Sequence, residues 1–253
     1  LMPRMSTGYM GDYSFGSDLS TGFSDHVQLG EIGQIQQSNA VVMHIQIDGD
    51  TVGRYDLRWR GVALSRFDGT TWSNPRQPFT VLRQPDSSFP VPQPNAQLNP
   101  TARPREHIIH YRVLMEPIGT NVFFLAPWAR RVNGEYRNVA ADATGVLYDF
   151  DPQRPISRYE AESDIAVPAP ADLRTAQRDP DPRNQGAYLR LPALDPRVRA
   201  LATQITSSAN NDFDKASALE GYLRTHFAYT LQLPRTKVND PIANFLFERK
   251  QGH

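Results

Sequence analysis

Apolar and polar positions change rhythm once along this chain. From Ala40 to Ser163 the apolar residues come in short, β-branched or aromatic runs, several of them alternating with polar ones, which is the period of half-buried strands. Ala40 to Ile47 predicts one such strand, closed by the turn signal Asp48-Gly49-Asp50. Trp59 and Val62 to Arg66 predict another, with Gly61 at a bulge, and Asp68-Gly69 between Phe67 and Trp72 predicts a tight hairpin because glycine accepts positive φ. His107 to Met115 predicts a strand that buries Ile108, Tyr111 and Val113, and a short apolar run follows at Asn121 to Leu125. Asn133-Gly134 reads as a hairpin turn, Gly145 to Phe150 as a strand, and Ser157 to Ser163 as a strand with its charges toward water. That makes roughly seven to nine strands, the spacing of an antiparallel sandwich or partly closed barrel.

Past Gly186 the period lengthens. Val198, Leu201, Ala202 and Ile205 recur at helical spacing after Pro196, and Phe213, Ala216, Leu219, Leu223 and Phe227 do so after the cap candidates Asn211 and Asp212. Glu220 and Arg224 are placed to pair on the outer face of that second helix. Tyr229, Leu231 and Leu233 suggest a brief extended segment, and Asp240-Pro241 starts a last short helix carrying Ile242, Phe245 and Leu246. Between the two rhythms, Ile165 to Gly186 is polar and rich in proline, a composition that joins domains, and Pro75 to Pro104 reads as a long irregular loop or an excursion along a sheet edge. The expected class is α+β. Its organisation is an extended lead-in over 1–39, a β-rich accessory domain over 40–165, a linker over 166–187 and a helical part over 188–253.

Composition narrows the partners. Lys plus Arg and Asp plus Glu both number 27, so the formal charge is zero and nothing in the balance favours nucleic acid or an acidic membrane surface. The longest apolar runs, such as Val122 to Pro127, are too short to cross a bilayer, so no membrane insertion is expected of this stretch. Leu1 is followed by no charged or apolar leader, which reads as an internal boundary of a longer protein. The chain has no Cys, which fits either redox compartment at this size.

Candidate chemistry is sparse. Neither a glycine-rich phosphate loop, a Cys/His metal spacing nor a G-x-S-x-G elbow is present, and no cofactor or metal is expected. His107 and His110 fall on opposite faces of a strand, and His44 stands alone on its own. Asp142, Asp149, Asp151, Glu160 and Glu162 are acids whose separation only a structure gives; the default for them is surface charge. Trp59, Trp72 and Trp128 are the ligand-binding candidates, since indole faces stack on sugars; core filling is the competing use, and for Trp59 and Trp72, which flank Phe67, it is the heavier one.

The run Asp240-Pro241-Ile242-Ala243-Asn244-Phe245-Leu246-Phe247-Glu248-Arg249-Lys250-Gln251-Gly252-His253 resembles a segment of bacterial membrane-anchored transglutaminase-like proteins of the papain-like thiol superfamily. Tyr188-Leu189-Arg190-Leu191-Pro192, Tyr222-Leu223 and Phe227-Ala228-Tyr229-Thr230 support it, as do Trp59 to Leu64 and Arg66 to Trp72. The resemblance implies that a nucleophilic Cys follows Gly-His directly, with the family's His and Asp beyond it, so no catalytic residue is assigned here and His253 is not the base. It further implies an inactive, non-catalytic region on the periplasmic or extracellular side of the membrane. Residues 188–253 would open a thiol core, whose partners are the rest of that core, a membrane domain and a protein or peptide substrate. A glycan-, peptide- or envelope-protein-binding module is the alternative.

Overall fold

A computed structural model describes residues 26–28, 41–74, 77–93, 106–176, 186, 188–230 and 238–252. Its strands are β1 (His26–Gln28), β2 (Met43–Ile47), β3 (Arg66–Phe67), β4 (Thr71–Ser73), β5 (Phe79–Thr80), β6 (Ser88–Pro90) and β7 (Ile108–Met115). They continue with β8 (Ala129–Asn133), β9 (Val139–Ala141), β10 (Leu147–Asp149), β11 (Arg158–Asp164), β12 (Ala228–Tyr229) and β13 (Gln251–Gly252). The helices are α1 (Pro170–Thr175), α2 (Pro196–Ile205), α3 (Asp212–His226) and α4 (Pro241–Ala243), the last running into a π-helical turn, Asn244–Arg249. The fold is α+β, mostly antiparallel sheets with a few short helices, and among the described residues no sheet closes into a barrel.

A five-stranded antiparallel sheet in the order β2-β7-β11-β8-β6 forms the centre. Strict alternation along β7 turns Ile109, Tyr111, Val113 and Met115 inward and His110, Arg112 and Leu114 outward. Register then places Tyr159 opposite Val113 and Ala161 opposite Tyr111, so the inner rows meet across strands. The three-stranded sheet β10-β9-β5 shares this core through Val81, Val139, Ala141 and Leu147. A third sheet, β1-β4-β3, contains the expected Asp68-Gly69 hairpin, whose Asp68 Oδ1 accepts from the Thr70 and Thr71 N–H groups at 2.8 and 2.7 Å.

Residues 122–126 are buried as the apolar run implies, yet join no ladder beyond single bridges. Backbone bonds to Leu147 and Arg60 serve Phe123 and Leu125, and two tyrosines from the sheet serve Phe124 and Ala126. Tyr159 Oη accepts from Phe124 N–H at 3.0 Å and donates to the Phe124 carbonyl, while Tyr111 Oη accepts from Ala126 N–H at 3.0 Å.

Four local expectations are corrected. Ile108 is half-buried, and Ile109 takes the inward position, because Ile108 has the outward parity of β7. Trp59 to Ser65 is no strand, and only Arg66 of the expected run enters β3: before it Arg60 alone bridges Leu125, and Gly61 lies so close to the Phe124 ring that a Cβ there would stand 2.7 Å from Cε1. Asn133-Gly134 joins no hairpin, since β8 and β9 belong to different sheets and the turn carries the chain from one layer to the other. Glu162 does not face water freely; it is 6 % exposed, pinned by Arg131.

The span from Pro75 does hug a sheet edge, where β6 pairs β8; within it, 75–76 and 94–105 lie outside the described residues, as does the lead-in apart from β1. No helix among the described residues is long and apolar enough to cross a membrane.

Candidate functional site

The C-terminal helices start where their caps dictate. Asn211 Oδ1 accepts from Asp214 N–H at 2.9 Å at the head of α3, and Asp240 Oδ1 accepts from Ala243 N–H at 2.8 Å at the head of α4. Asp212 and Asp214 occupy the first turn of α3 and Arg224 and His226 the last, each sign suiting its end of the dipole. Val198, Leu201, Ala202 and Ile205 share one half-buried face of α2, as the spacing predicts, but neither α2 nor α3 contains a buried residue. Aromatic contacts hold the bundle: Phe227 stacks on Phe245 at 4.8 Å, Tyr222 on His226 at 4.2 Å, and the Arg197 guanidinium lies 4.6 Å over Phe247.

Beyond the π-helical turn the backbone reverses at Lys250, which sits left-handed at φ 51°, and β13 runs parallel to β12. Ala228 N–H donates to the Lys250 carbonyl at 2.9 Å and Thr230 N–H to that of Gly252 at 2.7 Å. Gly252 is pressed on Phe245, where a Cβ would fall 2.9 Å from the ring. Gln251 and Gly252 are thus fixed in direction by backbone pairing and a ring. Expected extension at Leu231 and Leu233 lies outside the described residues, as does His253.

A polar joint drawn from four separated stretches ties Tyr188, ahead of α2, to the sheets. Asp142, 1 % exposed, accepts from Thr144 N–H at 2.9 Å and Oγ1 at 2.6 Å and, through Oδ2, from the Asn74 amide at 2.7 Å. Arg60 donates to the Gly145 carbonyl at 3.2 Å, and Tyr188 Oη to that of Ala143 at 3.3 Å. Burial lowers the Arg60 pKa, which the Asp142 charge partly restores, and burial followed by that same charge raises Tyr188. Pro192 lies beside the β3–β4 turn, with Cγ 3.7 Å from a Cβ built on Gly69. Arg174 of α1 pairs with Asp214 of α3 at 2.9 Å and lies 5.4 Å over Phe213.

The three tryptophans are not brought together by any ring contact among the described residues. Trp59 meets Tyr111 edge-on at 4.9 Å against the core, and Trp72 stacks on Phe67 at 4.9 Å while 37 % exposed. Trp128 is 59 % exposed and holds a left-handed φ of 50° just before β8. Elsewhere, His44 pairs with Glu116 at 2.9 Å, and Asp149 Oδ1 accepts from Asp151 N–H at 3.0 Å.

The outer face of the central sheet carries a groove of about 280 Å³ lined by His110, Arg112, Arg131, Asn133, Glu160 and Glu162, among others. Arg131 grips Glu162 at 2.6 and 2.9 Å, a pairing that raises the arginine pKa, and Arg112 reaches Asp48 at 3.2 Å and Glu160 at 3.5 Å. Among the described residues no cluster of His, Cys, Asp or Glu is arranged to hold a metal.

Comparison with known proteins follows from the same architecture. Residues 1–170 match the family model described as TgpA N-terminal domain. A protein-glutamine gamma-glutamyltransferase of Pseudomonas aeruginosa is 26% identical over 237 residues, which are 92% of this chain and 31% of that protein. The uncharacterized protein YebA of Bacillus subtilis is 40% identical over 70 residues, 26% of this chain and 10% of its own length. The chain therefore spans under a third of the curated relatives it matches. The crystal structure of the periplasmic domain of TgpA from Pseudomonas aeruginosa superposes with a TM-score of 0.67 at 22% identity, over 90% of this chain and 71% of that one. Its ethylmercury-bound form gives 0.63.

Proposed function

We propose, from the premise that this chain belongs to the TgpA N-terminal domain family, that it is a non-catalytic region which presents the opening of a transglutaminase-like core outside the membrane. The observation that carries this reading is that α2 and α3 bury nothing although they repeat apolar residues at helical spacing. Helices of that kind are one layer of a larger core, and the curated relative is long enough to supply the remainder. The division at 166–187 into a β-rich part and a helical part belongs to the same reading. In it, the Arg60, Asp142 and Tyr188 joint orients the helical part on the sheets, while the β12–β13 pairing sets the direction of the chain after Gly252. A periplasmic setting is supported by the superposed periplasmic domain, and a glutamyl-transfer activity of the whole protein by the name of the curated relative.

The test is an amine-incorporation and peptide-hydrolysis assay on residues 1–253 beside the full-length protein. Turnover is expected from the full-length protein alone; turnover by 1–253 well above a buffer blank overturns the reading.

One observation favours the binding-module reading: Trp128 is an exposed indole on a strained backbone, and strain of that kind collects at ligand clamps. Trp128 fluorescence should respond to a glycan or peptide it binds, whereas the packed Trp59 should stay silent.

A further inference from the structure

Among the described residues three carboxylates lie buried, and their surroundings differ. Asp142 accepts from the Thr144 N–H and hydroxyl, the Val146 N–H and the Asn74 amide. Glu162 is held by the Arg131 guanidinium. Asp149, 2 % exposed at the end of β10, accepts one hydrogen bond, from Asp151 N–H to Oδ1 at 3.0 Å. Among the described residues no donor reaches its Oδ2, and no basic side chain pairs with it. A buried carboxylate needs a set of donors or an opposite charge to replace the water it has left. One N–H is not that replacement, and the chain sets a second acid, Asp151, beside Asp149 rather than a base.

The loop that follows gathers oxygen atoms. Asp149, Asp151 and Gln153 stand at i, i+2 and i+4. Asp151 Oδ1 accepts from Gln153 N–H at 3.0 Å and the Asp151 carbonyl from Arg154 N–H at 3.0 Å, so residues 151–154 curl into a turn. Asn121 fixes the head of this loop: its amide donates to the Asp149 carbonyl at 2.8 Å, and its carbonyl accepts from Asp149 N–H at 2.9 Å. The bond from Asp151 N–H then turns the Asp149 carboxyl group toward the loop. We propose that Asp149, Asp151 and Gln153 bind a calcium ion, which supplies the counter-charge that the buried Asp149 needs. Two carboxylates match a divalent cation in charge, and a donor set made only of oxygen favours calcium over zinc. Alternate residues of a tight turn are the spacing by which calcium loops collect side-chain oxygens. Calcium also accepts an irregular shell completed by amide oxygens, main-chain carbonyls and water, whereas magnesium demands a near-ideal octahedron. A site of this kind does not require three acidic or imidazole ligands, and among the described residues no such cluster occurs.

An ion that binds only the folded chain stabilises it by mass action, so the test is thermal unfolding of residues 1–253 stripped of divalent ions with a chelator and then dialysed. With a dissociation constant on the order of 10⁻³ M, calcium at about 10 mM should raise Tm by about 3–5 °C. Magnesium at the same concentration should raise it by less than half as much. Asp149→Asn and Asp151→Asn keep an oxygen for the turn but remove one charge each, and either should abolish the calcium shift. Asp151 is exposed, so its variant should fold whatever the buried position tolerates. Equilibrium dialysis with calcium should find one ion per chain, and none in either variant. No shift and no bound calcium at about 10 mM overturn the proposal, and so does a shift of equal size in both Asn variants, which would place the bound cation elsewhere on the surface.

Discussion

The sheets and the helices of this molecule solve burial in opposite ways. Between β2 and β11 the chain closes a core around Phe89, Tyr111, Phe123, Val132, Leu147 and Tyr159, each at or below 1 % exposure. In α2 and α3 the best-placed residues reach only half-burial and Leu223 is 38 % exposed, while Leu189 and Leu191 ahead of α2 are 65 and 66 % exposed. The lesson is that the sheets are stabilised by their own packing, whereas the helices are held by caps, ring contacts and a polar joint to the sheets. Hydrophobic stabilisation follows the apolar area removed from water, so stability should be unevenly shared.

Substitutions sharpen that contrast. Phe123→Ala should be the most damaging, costing about 3–5 kcal/mol because it opens a cavity against Tyr136 and Tyr159; denaturant unfolding reads this as loss of the whole β-sheet signal. Tyr159→Phe keeps the ring but removes the buried hydroxyl that bonds both the Phe124 N–H and its carbonyl, at roughly 1–3 kcal/mol by the same measurement. Leu219→Ala at the half-buried face of α3 should cost about 1 kcal/mol, well short of what a buried leucine is worth. Equal losses at Phe123 and Leu219 would break the comparison.

The smallest effect concerns acid. Burial pushes the Asp164 carboxyl up, but the N–H groups of His107 and Ala166 and the Arg130 guanidinium outweigh it and hold the pKa below its ordinary value. A carboxylate depressed in the folded state contributes stability above its unfolded value and loses that contribution as pH falls through the folded one, so the window lies below roughly pH 4. Asp164→Asn should flatten the acid limb of a stability–pH curve there and leave neutral pH behaviour little changed.

Legibility followed the physics of each segment. Strict alternation made β7 readable, and Asn211, Asp240 and Pro241 marked helix starts because caps are local chemistry. Failures came where a distant residue decided the outcome. Gly61 looks like a bulge until the Phe124 ring is set against it, and Asn133-Gly134 has hairpin composition although the layers on either side pull its strands apart. The Arg60, Asn74, Asp142 and Tyr188 joint draws on four separated stretches and carries no local pattern; only the Asp142-to-Thr144 turn within it has a readable signal. In the C-terminal run the Asp240 cap, Pro241 and the spacing of Ile242, Phe245 and Leu246 announced a short helix, but the π-helical turn that finishes it carries no local signal.

Native-state hydrogen exchange on residues 1–253 tests the unequal sharing of stability most directly. Amides of Tyr111, Val113 and Ala161 should exchange only through global unfolding, and those of Leu201, Leu219 and Leu223 through local opening at least ~10³-fold more readily. One common protection factor for both sets, moving together with denaturant, would contradict it.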